Sequence, residues 1–121
     1  MKTNIKLKLN GEQRSVEVEN TDILLDVLRD RLGVKSPKYG CGRGDCGTCT
    51  VLLNGKSVRS CIMLAIEADG QEIITVEGLA QGNKLSPLQE AFVEHNSFQC
   101  GFCASGMIMT SAELLYKNPT P

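Results

Sequence analysis

The residues of this 121-residue chain best suited to chemistry are its six cysteines, which fall into two sets. The first is Cys41, Cys46 and Cys49 in YGCGRGDCGTC, then Cys61, so the pattern is C-x4-C-x2-C with a fourth thiol after eleven intervening residues. The second is the pair Cys100 and Cys103 in QCGFC. A loop so dense in thiols can be a disulfide framework, a zinc knuckle or an iron–sulfur cluster loop. Zinc knuckles usually present two short C-x2–4-C pairs, each on its own turn. Here three candidate ligands share one loop and the fourth comes singly. C-x4-C-x2-C with a distant fourth cysteine is the plant-type [2Fe–2S] spacing. Such a cluster is net negative in both oxidation states, and backbone N–H groups aimed at its sulfurs can stabilise it without a cationic side chain. Gly42, Gly44 and Gly47 allow the unusual backbone angles that such a wrapping loop needs. The second set is less specific. It reads either as a dithiol redox pair or as half of a metal site that needs two more ligands.

Composition limits the alternatives. The net charge is −1, and three Phe and two Tyr with no Trp leave neither a basic footprint nor stacking platforms for nucleic acid. No apolar run approaches the ~20 residues that span a bilayer. The opening MKTNIKLKLNGEQ alternates charged and apolar residues and lacks a signal-peptide core. We therefore expect a cytoplasmic chain, where thiols stay reduced and cysteine clusters more often bind metal, which weighs against disulfides.

The elements that must position these thiols follow from periodicity. Ile5, Leu7 and Leu9 alternate with polar residues as in a half-buried strand, Asn10-Gly11 makes a hairpin turn, and Val16 and Val18 continue the alternation. Leu24, Val27, Leu28 and Leu32 fall at helical spacing, with Asn20 or Thr21 as the expected N-cap and Gly33 as the C-terminal stop. TVLLNGKSVRSC predicts a second hairpin turning at Asn54-Gly55 and ending at Cys61, and IITVEGL one more strand. Hairpin, helix, loop, hairpin and strand is the order of a β-grasp sheet with one helix across one face. From residue 84 the period becomes helical. Ser86 caps, Pro87 takes the first helical position and Gln89 completes a capping box, with Leu88, Ala91 and Phe92 as the apolar stripe. A second helix through MIMTSAELLYK stops near Asn118-Pro119. The fold class expected is α+β: a ferredoxin-like domain over residues 1–78 and a helical domain over 79–121, with Cys100 and Cys103 at the elbow of its hairpin.

Taken together, GCGRGDCGTCTVLLNG, Cys61, ITVEGLA, QCGFCASGMIM and LLYKNPTP resemble the small iron–sulfur subunit of the molybdenum hydroxylases. That family includes xanthine dehydrogenase, aldehyde oxidoreductase, nicotinate dehydrogenase and aerobic carbon monoxide dehydrogenase. The resemblance runs through essentially the whole chain. Ordinary plant-type ferredoxins place the fourth cysteine much further on and lack the helical part. Succinate dehydrogenase iron–sulfur subunits continue with C-x2-C-x2-C runs that are absent here.

The resemblance implies an electron-transfer subunit of a multi-subunit oxidoreductase, with no complete active site of its own. Substrate would be hydroxylated at a molybdopterin centre on a large partner, and electrons would pass singly through this chain towards a FAD subunit or another acceptor. It implies one [2Fe–2S] cluster on Cys41, Cys46, Cys49 and Cys61. It also implies a second cluster with Cys100 and Cys103 as two of its ligands, and Gln99 as a contact to the pterin. Family members continue past NPTP with two more helices and a Cys-x-Cys pair. The expectation is therefore the first two helices of a four-helix bundle, a native chain running past Pro121, and partial exposure of the stripe through Phe92, Met107, Ile108 and Leu114. Ala104-Ser105 replaces the Thr-Pro that often follows CGFC, which would loosen the helix start. A free-standing ferredoxin-like carrier and a zinc-stapled interaction module are the competing classes. His95 reads as a solvated or capping residue, and Met107 and Met109 read as packing residues.

Overall fold

The computed structural model describes residues 2–97 and 99–121. Alternating apolar residues build β1 (Lys2–Leu9), which turns through Asn10 and Gly11, both at positive φ, into the antiparallel β2 (Glu12–Glu19). A second hairpin of the same kind joins β3 (Thr50–Leu53) to β4 (Lys56–Arg59) through Asn54 and Gly55. Strand β5 (Glu72–Ile74) lies between the hairpins, parallel to β1 and antiparallel to β3, which completes a five-stranded sheet of order β2-β1-β5-β3-β4. The strand foreseen in IITVEGL is shorter than expected, because Val76–Gly78 winds into a 3-10 turn.

The period of two along β3 sends consecutive side chains to opposite faces. Val51 joins Ile5, Leu7, Leu9, Val18 and Ile73 on the face covered by α1 (Leu24–Asp30), which contributes Leu24, Val27 and Leu28. Leu52 faces the other way and packs with Met109 and Ala112 of the long helix α3 (Ala104–Lys117). The sheet therefore carries a helix on each face, and the helical segment shares a core with β3. Between the two helices in sequence lies α2 (Pro87–Glu94).

The ends of the helices test the expected caps. Neither Asn20 nor Thr21 caps α1. Its N-cap is Ile23, with no side-chain bond, and the entry is held by the backbone instead. The Leu24 amide donates to the Met63 carbonyl at 2.8 Å, and Ala65 to Asp22 at 2.8 Å. A short bridge to residues 63–65 thus does the work that a polar cap does elsewhere. Gly33 takes φ +73° and lets the Val34 amide return to Leu28. In α2 the Ser86 hydroxyl accepts from the Gln89 amide, and the Gln89 side chain accepts from Ser86, as the capping box predicts. Gln89 is also the buried residue of α2, while the apolar Leu88 and Phe92 are only half covered; its amide group donates to the Val76 carbonyl. His95 is the C-cap of α2. Helix α3 begins three residues before the expected MIM run.

Candidate metal centre

Residues 40–49 form an irregular loop whose course is set by three glycines at positive φ: Gly42, Gly44 and Gly47. Alternation of such residues with ordinary ones turns successive N–H groups inward. The Asp45, Cys46 and Arg43 amides point at the Cys41 sulfur at 3.1, 3.3 and 3.4 Å, and the Cys41 amide points at the Cys46 sulfur at 3.3 Å. The Cys61 amide points at the Cys49 sulfur at 3.4 Å. The four thiols are thus linked as two pairs, Cys41 with Cys46 and Cys49 with Cys61. The Gly44 amide, which reaches towards Cys61, connects one pair to the other.

The pairs differ in electrostatics. Amides of Arg43, Cys46 and Asp45 pull the Cys41 thiol down to about 6. Hydrogen bonds at Thr48 lower that of Cys46. Burial pushes the Cys61 thiol up to about 11. The outer pair is therefore biased towards the thiolate, which is the ligating form, while the inner pair sits in an apolar pocket with Leu25 and Ile23.

Several supporting residues escaped the sequence reading. A Cβ on Gly40 would lie 2.5 Å from the Cys46 sulfur, so the loop closes only over a glycine. The Thr48 hydroxyl lies 3.3 Å from that same sulfur. The Tyr39 hydroxyl donates to Asp26 of α1 at 2.7 Å and ties the start of the loop to that helix. The nearest sequence signal for these residues was proximity to the CGRGDCGTC stretch. Their roles depend on contacts that spacing does not report.

Helix α3 lies directly against the loop. A Cβ on Gly106 would fall 2.1 Å from the Gly47 carbonyl oxygen, so the two backbones meet with no side chain between them. The buried Ser105 hydroxyl donates to the Ser36 carbonyl at 2.7 Å, so this residue anchors the helix start that the Ala104-Ser105 replacement was expected to loosen. Ser36 in turn donates to the Glu77 carboxylate, which also accepts from Thr75 at 2.7 Å. Burial acts to raise the Glu77 carboxyl, but the Ser36 and Thr75 hydrogen bonds outweigh it and hold the group below the usual carboxylate range. At the far end of α3, Glu113 accepts from the Ser57 amide and hydroxyl at 2.7 and 2.8 Å.

Cys100 and Cys103 sit at the elbow before α3. Cys103 is the N-cap residue and half-buried, Cys100 is exposed, and Gln99 beside it is exposed as well. The Phe102 ring lies under the Lys38 ammonium at 5.7 Å. All six cysteines are free thiols. The structure links Cys41 with Cys46 and Cys49 with Cys61 through loop amides, and Cys103 lines one groove with Cys46, Gly47 and Gly106. Among the described residues, no three His, Cys, Asp or Glu side chains are grouped as around a single ion. Of the stripe foreseen as partly exposed, Met107 and Leu114 are half exposed and Phe92 is half covered, whereas Ile108 is buried. A groove of about 680 Å3 runs between this stripe and the cysteine loop.

Sulfur-only donors in two linked pairs, inward amides and a loop that tolerates no side chain at Gly40 suit a two-iron, sulfide-bridged group. Residues 7–80 match the family described as 2Fe-2S iron-sulfur cluster binding domain, and residues 75–121 match that described as [2Fe-2S] binding domain. The chain is 51% identical over 120 residues to the nicotinate dehydrogenase small FeS subunit of Eubacterium barkeri, covering 99% of this chain and 76% of that one. It superposes on quinoline 2-oxidoreductase from Pseudomonas putida with a TM-score of 0.96 at 45% identity, covering 99% of this chain and 74% of that one. It also matches the aldehyde oxidoreductase of Desulfovibrio desulfuricans with a TM-score of 0.93 at 43% identity, covering 98% of this chain and 13% of that much longer one. Agreement of this kind, over nearly the whole chain, goes beyond a shared sheet. The chain belongs to the small iron–sulfur subunits of the molybdenum hydroxylases, and it is an electron-transfer subunit of an oxidoreductase.

Proposed function

We propose that Cys41, Cys46, Cys49 and Cys61 would ligate one [2Fe–2S] cluster, the outer and inner pairs each supplying two of its four thiolates. Cys100 and Cys103 supply two ligands of a second cluster, whose other two ligands lie outside these 121 residues. The chain then relays electrons singly between a molybdopterin centre on a large partner subunit and a FAD subunit or another acceptor, in the cytoplasm. The observation that carries this reading is the two linked pairs of thiols with backbone amides turned onto their sulfurs.

A [2Fe–2S] cluster supplies one-electron redox chemistry when bound. The residues of the chain hold and insulate it. The amides of Arg43, Asp45 and Cys46 would offset negative charge on the Cys41 sulfur, and the Cys41 amide that on the Cys46 sulfur. Leu25 and Ile23 exclude water from the inner pair. Gln99, exposed beside the second pair of thiols, would by the family resemblance contact the pterin of the partner.

Iron and acid-labile sulfide, measured on protein purified without oxygen, test the assignment. We expect both, and zinc without iron would end it. Cys46→Ser should bleach the visible absorption of one cluster, since serine is a poor ligand for it. An unchanged spectrum would mean that the ligand is misplaced.

A further inference from the structure

We infer that Arg59 is the electrostatic counter-group of the cluster proposed on Cys41, Cys46, Cys49 and Cys61, and that it raises that cluster's reduction potential. The inference rests on that ligand assignment. Arg59 ends β4, two residues before Cys61, and its side chain folds back onto the cysteine loop. Its guanidinium carbon and Nη2 lie 3.7 Å from where a Cβ on Gly47 would stand. Its Nη1 donates to the Thr50 hydroxyl at 3.0 Å. That hydroxyl donates to the Gly47 carbonyl at 2.6 Å, and the Thr50 amide donates to the same oxygen at 3.0 Å. The guanidinium is thus fixed, through Thr50, to the residue that follows Cys46.

The remaining polar atoms of this side chain are what call for an account. Arg59 Nε is buried with no hydrogen-bond partner. Among the described residues Arg59 has no ion pair; the carboxylate that shares its groove, Glu113, is engaged by Ser57 and by Lys117. Arg59 as a whole is half-buried, but burying its Nε with neither a hydrogen-bond partner nor a compensating anion is costly. A cluster ligated by four thiolates is such an anion, and it gains one further negative charge on reduction. Attraction to a fixed cation strengthens with that charge, so Arg59 favours the reduced state.

The test is a redox titration of the [2Fe–2S] signals in the intact complex. The signal in question is the one that Cys46→Ser abolishes; if that variant abolishes none, the ligand assignment fails and the inference is not reached. In Arg59→Gln we expect the reduction equilibrium of this signal to fall about tenfold, or about 59 mV for a one-electron couple. Arg59→Lys, which keeps the charge, should restore most of the loss. Thr50→Val, which removes the tether but no charge, should shift the potential less. An unchanged potential in Arg59→Gln overturns the inference, as does a shift confined to the other cluster's signal or an equal shift in Thr50→Val. Should Arg59→Gln fail to assemble the cluster, Arg59→Lys decides: assembly at the parent potential supports the role, and failure to assemble overturns it.

Discussion

The two cysteine sets of this chain contain similar atoms in opposite surroundings. Cys41, Cys46, Cys49 and Cys61 sit in a loop whose amides already point at sulfur, closed above by Gly40 and below by α3. Cys100 and Cys103 stand at a helix elbow, one of them exposed, with no such ring of donors among the described residues. The difference teaches that preorganisation for a cluster is built by backbone more than by thiol count. The first set has its geometry supplied within the chain. The second has no such frame among the described residues, so Cys100 and Cys103, as the ligands proposed above, would need other groups to complete their geometry.

The largest effect that would sharpen this contrast is chemical. In cluster-free folded protein, Cys41, held down to about 6, is mostly thiolate at neutral pH, whereas Cys61, pushed up to about 11, is thiolate in only about one molecule in ten thousand. We expect iodoacetamide to modify Cys41 with a pH midpoint near 6 and to leave Cys61 unmodified at neutral pH, read by mass spectrometry. Equal rates at the two sites would break the distinction between the outer and inner pairs.

A smaller effect concerns the seam between the sets. At an exposed helix position, replacing glycine with alanine stabilises by about 1 kcal/mol. At Gly106 the added methyl meets the Gly47 carbonyl at 2.1 Å, where backbone faces backbone and nothing flexible can yield. Overpacking of that kind costs about 1–3 kcal/mol, so the clash should win. Gly106→Ala is expected to lower stability in urea unfolding and to lift α3 away from the loop; a stabilised variant would show that the seam is looser than the structure has it.

The smallest effect is acid loosening of α3. Glu77 and Glu113 are both held below the usual carboxylate range, Glu113 chiefly by the Ser57 amide. A folded-state value below the unfolded one contributes stability that is full above the ordinary carboxylate pKa and is lost as pH falls through the lowered one. Hydrogen exchange, corrected for its intrinsic pH dependence, should therefore show α3 amides losing protection at acid pH before those of β1 and β2. Glu113→Gln should flatten part of that dependence. If β1 and β2 lose protection at the same pH as α3, these two carboxylates are not what ties the helix down.

Much of the fold was legible because its signals are local. The alternation of Ile5, Leu7 and Leu9, the Asn-Gly turns, the Ser86–Gln89 box and the stop at Asn118-Pro119 each depend on residues a few positions apart. The cap of α1 was misplaced for the same reason: Asn20 and Thr21 are good local candidates, but the entry is held by Met63 and Ala65, some forty residues away. The spacing of the cysteines and the glycines between them pointed to cluster chemistry because ligand geometry demands that spacing.

By itself, then, the sequence determined which thiols are available, the loop that wraps them, the order of strands and helices and the family. Tertiary structure alone decided that α3 packs on Leu52 and on the Gly47 carbonyl, that Ser105 meets Ser36 and that Glu113 meets Ser57. It alone placed Arg59 against Gly47 of the cysteine loop, with its Nε buried and unpartnered among the described residues. The physical reason is sequence separation. These contacts join residues about 60 positions apart in most cases, and which surfaces meet is settled by how the two helices divide the faces of one sheet, a competition among all buried groups at once that no local pattern encodes.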